Sequence, residues 1–307
     1  MTTTWAKRRK ERIDDLAGGR SLTAEAFRRL RRDPVAIIGA VIVAAFVLIA
    51  AFAPVIAPHS AAEVFPELQR DLRPGNIPGP LPGFPLGSDA LGHDFFSRMV
   101  LASQQTLVVG VVATVIGLVV GIVIGTVAGA FGGWVDTVLM RGVDVLLAIP
   151  SLLLAISVAA LAAKPSQTSV IIAVAIVSVP VFARLLRGSM LGQRGSDHVV
   201  AATALGVRRN AVVLRHMLPN AIGPVIVQAT LTLATSILDA AALSFLGLGD
   251  ADPNRAEWGQ MLAAAQTTLD VRPALAFYPA IAIIVVALGF TLLGESLREA
   301  LDPKGRR

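Results

Sequence analysis

Four histidines, His59, His93, His198 and His216, are the side chains best suited to hold a metal or pass a proton, and they stand far apart in the chain. None forms the HExxH pair that sets two imidazoles on one helix face around zinc. The four lysines, Lys7, Lys10, Lys164 and Lys304, include none in a GxxxxGK[ST] loop, so the sequence has no such cradle for nucleotide phosphates. It has no GxSxG elbow for a serine nucleophile, and no cysteine for thiolate, disulfide or metal chemistry. "GLGD" at Gly247–Asp250 closes an apolar run instead of opening a helix after a strand, so it is no dinucleotide fingerprint. The expectation is a chain that is not an enzyme, with no catalytic residue, no metal site and no cofactor of its own.

What remains is charge in unusual places. Asp239 lies inside the apolar run "SILDAAALSF". An acid at membrane depth faces a bundle interior or a water-filled cavity. A packing hydrogen bond and a pore-facing role both suit it, whereas a proton relay would need further acids in the same run. The second anomaly is "DHVVAATALGVRRNAVVLRHMLPN", Asp197–Asn220, a polar stretch between two long apolar ones. Ala201, Ala202, Ala204 and Leu205 favour a helix, and Gly206 permits a break. A second helix is expected from Val207 to Leu218, with Val207, Ala211, Leu214 and Leu218 on one stripe. Arg208 with Arg215, and Arg209 with His216, then project from other faces, and Pro219 can start the next span. Such a pair suits a membrane surface, with arginines toward anionic headgroups, or a groove on a protein partner. Spacing does not choose between them.

The elements that carry these residues are membrane spans. Of the 307 residues 54% are hydrophobic and 16% charged, and the apolar residues come in long blocks. Six segments are long enough to cross about 30 Å of hydrocarbon: 35–56, 106–130, 143–163, 169–187, 220–247 and 273–293. The N-terminal run is too long for a signal-peptide h-region and is expected to be a retained first span. With the N-terminus inside, 21 of the 27 Lys and Arg fall on the inner side, so both termini are expected in the cytoplasm. The basic N-terminus is thereby a topology signal, and no nucleic-acid partner is expected despite the net charge of +6. In the second span Gly117, Gly121, Gly125 and Gly129 recur every fourth residue. That spacing gives one helix face to close backbone approach, through helix packing or along a moving, pore-lining interface.

Several ordered motifs then carry a resemblance. Ala201-Ala202, three residues, Gly206, nine residues and His216-Met217-Leu218-Pro219 resemble the EAA loop of ABC-importer permeases. "LGSDALGHDFFSRMVLASQQTLVVG" (Leu86–Gly110), "ILDAAALSFLGLG" (Ile237–Gly249) with "EWGQML" (Glu257–Leu262), and "LLGESLREALDPK" (Leu292–Lys304) are similar to the dipeptide/oligopeptide branch of that family. The resemblance implies an all-α, six-span permease of the type I importer fold in a bacterial cytoplasmic membrane. Its implied organisation is a basic cytoplasmic segment 1–34, a first helix 35–56, an extracytoplasmic loop 57–105, a five-helix core 106–293 and a cytoplasmic tail 294–307. The core would carry a cytoplasmic coupling loop 188–219 and an outer loop 248–272.

The implied partners are a second homologous permease, two cytoplasmic ATPases that bind ATP and Mg, an extracytoplasmic binding protein, membrane lipid and a peptide substrate. Ala201, Ala202, Gly206, Arg208, Arg209, Leu218 and Pro219 would contact an ATPase, and Glu257 and Trp258 the binding protein. Val200 stands where the family usually has Glu, and His93 and Gln104 where the branch often has Arg. Permeases for nickel or metal chelates belong to the same branch and remain an alternative. A secondary transporter is a further one, although it more often shows inverted repeats or several intramembrane charges.

Overall fold

A computed structural model describes residues 28–301 apart from 74, 251 and 253; the basic segment before residue 28 and the tail after 301 lie outside the described residues. Helix α1 spans Pro34–Ala51 and starts where Asp33 accepts a hydrogen bond from the Val35 amide, with Pro34 in the first turn. Its large side chains Ile37, Ile38, Val41 and Leu48 are exposed, as a helix solvated by hydrocarbon requires.

Helix α2, Phe95–Phe131, is 37 residues long, so its axis runs about 55 Å. It begins before the expected 106 because Asp94 caps it, its carboxylate accepting from the Phe96 and Ser97 amides. Gly132 and Gly133, both in the left-handed region (φ 65° and 57°), end α2 and turn the chain into α3, Gly133–Ala148.

The third span, expected at 143–163, is a broken pair. Helix α3 and helix α4, Ser151–Ala160, meet at 96° across Ile149-Pro150. Pro150 supplies no amide hydrogen and pushes Ile149 out of the helical region, to φ −90° and ψ 131°. Five described helices are therefore long and apolar enough to span, or six spans if the bent pair counts as one.

Helix α5, Gln167–Gln193, opens on a capping box between Ser166 and Ser169. It is followed by α6 (Asp197–Ala204), α7 (Gly223–Phe245), α8 (Trp258–Ala265) and α9 (Ala274–Leu301). No strand is present among the described residues, so the fold is all-α.

The glycine stripe of α2 packs on α5. A β-carbon on Gly121 would stand 2.5 Å from Phe182 Cβ, one on Gly125 2.7 Å from the Ala183 carbonyl oxygen, and one on Gly129 2.7 Å from Met190 Cβ; one on Gly117 would collide with Ser178. Of the two readings of the stripe, close helix packing is therefore the one its contacts describe. The same device joins α1 to α9, where a β-carbon on Gly39 would lie 2.8 Å from the Leu293 nitrogen. A buried hydroxyl bond from Thr114 to Ser236, 3.0 Å, ties α2 to α7.

At the far end of α2 the segment 57–94 folds onto the first turn of that helix. His59 Nδ1 lies 2.9 Å from the Asp94 carboxylate, which also accepts from the Ser97 hydroxyl. His93 is held by Asp89, 2.8 Å away, and Arg98 lies 3.5 Å from the same acid. Burial alone would raise the Asp89 carboxyl, but His93 and the His93 and Leu91 amides hold it below the usual range. Arg272, just before α9, donates to the Leu86 carbonyl at 2.8 Å and also to Pro78.

Candidate functional site: the loop between the fifth and seventh helices

Helix α6 ends in a Schellman turn. The Val207 amide donates to the Ala202 carbonyl (3.1 Å) and the Gly206 amide to Thr203 (3.0 Å). This places Gly206 at φ 77°, where a β-carbon would be strained although open space surrounds it. The turn leaves an apolar tip: Leu205 is 84% exposed and Val200 55%. Ala201 and Arg208 flank that tip, both exposed, while Ala202 is buried against the bundle.

The expected second helix is wound differently. After a short turn at Arg209–Ala211, Val212–Met217 is a π-helix whose closing bond runs from the Leu218 amide to Val213, five residues back. Pro219 lacks the amide that would bond the Arg215 carbonyl, which favours the wider turn. The buried face is consequently Val212, Val213 and Met217, and Leu214, expected on one stripe with Val207, Ala211 and Leu218, is 59% exposed. Leu218 is half-buried and packs inward, while Pro219 is exposed.

Arg208 and Arg209 part company. Arg208 points outward, with no hydrogen bond among the described residues. Arg209 donates to the Ala130 and Phe131 carbonyls at 2.8 and 3.2 Å, and its guanidinium sits 5.0 Å over the Phe131 ring. It is exposed yet bound within the chain, so in this structure its guanidinium braces the loop on α2.

Arg194, at the other flank of the loop, donates to the Gly129 carbonyl at 2.6 Å. Two guanidiniums thus occupy the carbonyl end of α2, where helix dipole and unpaired acceptors both favour cations. Nearby, Arg187 donates to Asp136 at 2.6 Å and Arg184 pairs with Asp144, joining α5 to α3. Sequence reasoning missed all of these pairings, because each joins residues far apart in the chain.

Glu257 and Trp258, expected to meet a protein outside, are buried. The Trp258 indole donates to the Met99 carbonyl at 3.0 Å and packs 5.6 Å from the Phe46 ring. Glu257 accepts from the Ser244 hydroxyl at 2.7 Å. Burial pushes its carboxyl up to about 7, against the lowering effect of Ser244 and with a smaller push from Asp250. These two residues lock α8 onto α7 and α2 rather than forming a docking surface. Asp239 borders a cavity between the α3–α4 break, α5 and α7.

The described residues thus form an all-helical bundle with a bent span and an exposed, braced loop, the architecture of a polytopic membrane protein. Residues 121–307 match the model of the binding-protein-dependent transport system inner membrane component, and residues 21–76 that of the N-terminal transmembrane domain of oligopeptide transport permease C. The dipeptide transport system permease protein DppC of Alkalihalophilus pseudofirmus is 40% identical over 91% of this chain and 89% of its own length. The glutathione transport system permease protein GsiD of Escherichia coli O157:H7 is 42% identical over 91% and 90%. A solved structure of the MetNI methionine ABC transporter shares the fold, with a TM-score of 0.54 over 67% of this chain and 96% of that one, at 16% identity. The chain belongs to the binding-protein-dependent transport system inner membrane component family, in its dipeptide/oligopeptide permease branch.

Proposed function

We propose that this chain is one of two permease subunits of an ATP-driven importer of dipeptides or oligopeptides in a bacterial cytoplasmic membrane, with both termini inside. The observation that carries the reading is the loop around Gly206. An exposed apolar tip, Leu205 with Val200, stands at the arginine-rich end of the bundle on a turn that only an unstrained left-handed residue permits. Positive charge marks that end as cytoplasmic, so the surface that covers the tip is that of a cytoplasmic ATPase. Ala201, Leu205, Gly206 and Arg208 meet it, while Ala202 and Leu218 seat the loop on its own bundle.

The similarity to dipeptide and glutathione permeases over nine tenths of the chain supports a peptide as substrate. The ATPases bind ATP and Mg, and an extracytoplasmic binding protein delivers the peptide. Nucleotide-driven closure of the ATPases moves the loop, and the bundle shifts between two packed states that differ in which side the cavity opens to.

The test is purification of the tagged chain with its partners in mild detergent, wild type beside Leu205→Asp. Leu205 is exposed, so the substitution leaves the bundle intact. Wild type is expected to bring down ATPases and a second permease, and Leu205→Asp to lose the ATPases while keeping the permease. Wild type that purifies alone and moves solute without ATP overturns the reading.

A further inference from the structure

The cavity beside Asp239 has a volume of about 500 Å³, within the usual range for small-ligand sites. Its walls are the α3–α4 break at Ile149-Pro150, the middle of α5 and one face of α7. Apolar side chains such as Leu154 and Val174 alternate there with Gln228, Thr232, Thr235 and Ser236. No Lys or Arg lines it.

The polar groups on its wall mostly satisfy one another. Gln228 donates to the Thr232 hydroxyl at 3.3 Å, Thr235 donates to the Thr232 carbonyl at 2.9 Å, and Ser236 accepts from Thr114 at 3.0 Å. The half-buried Asp239 carboxylate differs: it has no hydrogen bond or ion pair among the described residues. A carboxylate at membrane depth without a counter-charge is costly, and it is relieved either by taking up a proton or by a cation that enters the cavity; the open volume beside it admits the second.

The lining indicates which kind of cation. A hard metal ion asks for six or more oxygen ligands, and here one carboxylate stands among hydroxyls and an amide that are already engaged. A primary ammonium asks for fewer, since its three N–H groups are satisfied by one carboxylate and by a hydroxyl such as that of Thr235, which has given its hydrogen to the Thr232 carbonyl but keeps its lone pairs as acceptors. We propose that this cavity is a transit site for the protonated amino terminus of a peptide, with Asp239 as its counter-ion. The amide and hydroxyls of α7 then face the peptide backbone, and the apolar wall accepts side chains without selecting among them. This inference rests on the reading of the chain as a peptide-importer permease.

The experiment uses the complete transporter in proteoliposomes with its binding protein. It measures ATP-driven uptake of Ala-Ala and of N-acetyl-Ala-Ala, each normalised to its occupancy of the binding protein. Wild type is compared with Asp239→Asn and Asp239→Glu, with assembly of each variant verified by co-purification of its partners. The preference for the free amine is expected to fall about tenfold in Asp239→Asn, the scale of one charge-assisted contact, and to be retained in Asp239→Glu. A general structural role would slow both peptides alike and leave that ratio unmoved. Uptake by wild type with an unchanged ratio in Asp239→Asn overturns the role of Asp239 alone. An assembled wild type that hydrolyses ATP and takes up neither peptide overturns the peptide reading itself, and this inference with it.

Discussion

Replacing Arg209 by Gln separates two things that neighbouring arginines do. Arg209 holds the Ala130 and Phe131 carbonyls and covers the Phe131 ring, whereas Arg208 faces away from the bundle. A charge-assisted bond contributes about 1.5–3 kcal/mol when well buried. This guanidinium is exposed, and solvent screening brings the net loss to about 1 kcal/mol. That corresponds to roughly a fivefold fall in the population of loops clamped to α2. Arg194 still holds Gly129 and also lies 3.4 Å from the Ala130 carbonyl, so the two caps share an acceptor. Removing both is accordingly expected to exceed the sum of the single losses.

The assay is peptide moved per ATP hydrolysed in proteoliposomes. Arg209→Gln is expected to lower that ratio severalfold while ATPases remain bound, because the loop is still gripped but pulls less firmly on α2. Arg208→Gln is expected to lower hydrolysis and transport together through weaker docking, leaving the ratio intact. If the two variants behave alike, or if Arg209→Gln lowers both quantities in step, the clamp has no part in transmission.

Three further outcomes are expected. Gly206→Ala meets no neighbour, so its cost is the left-handed backbone alone, about 1–2 kcal/mol, and Gly206→Asn costs less; the amount of ATPase co-purifying with each variant ranks them. Gly121→Ala forces a β-carbon onto Phe182 and is expected to cost about 1–3 kcal/mol in thermal unfolding in detergent, whereas Gly142→Ala, with open space around it, costs nothing comparable. The Glu257 carboxyl, raised from 4.5 to about 7, binds its proton more tightly folded than unfolded. Its share of stability is therefore present at low pH and lost as pH climbs through that window, on the order of 3 kcal/mol at most. The midpoint of thermal unfolding is expected to fall between pH 5 and pH 8 in wild type, and less steeply in Glu257→Gln.

The spans were legible because the requirement they meet is simple: a run of about 20 apolar residues has few alternatives in a membrane. The glycine stripe was legible as a face but not as a contact, since four-residue spacing says that a backbone approaches without saying whose. Proline was harder to read. Pro180 lies inside α5 and Pro279 inside α9, yet Pro150 breaks its span by 96°. The difference is tertiary: Pro180 is buried where α5 meets the glycine face of α2, and that packing holds the helix together. The long start of α2 left a trace in Asp94, a capping residue placed before an apolar run, whose weight was overlooked. The site was half visible. The break at Gly206 follows from a local rule, but the exposed tip at Leu205 and Val200 shows only in the fold, and Arg208 and Arg209 are adjacent and chemically identical, so that only the carbonyl end of α2 tells them apart. Trp258 and Glu257 were misread because polar and aromatic residues in a loop look like a surface until their partners, Met99 and Ser244, are in view.

Helix α2 is about 55 Å of unbroken α-helix in a layer whose hydrocarbon is about 30 Å thick. One end carries His59 and Ser97 on the Asp94 cap, and the other is held by Arg194 and Arg209. Such a member is a strut, stiff along its axis and free of internal hinges. A displacement imposed at its arginine-held end is passed along the helix axis toward its aspartate-capped end. The interruptions of regular winding lie elsewhere, at the elbow of Pro150 and in the π-wound turn before Pro219, where a bundle built on such a strut has room to bend.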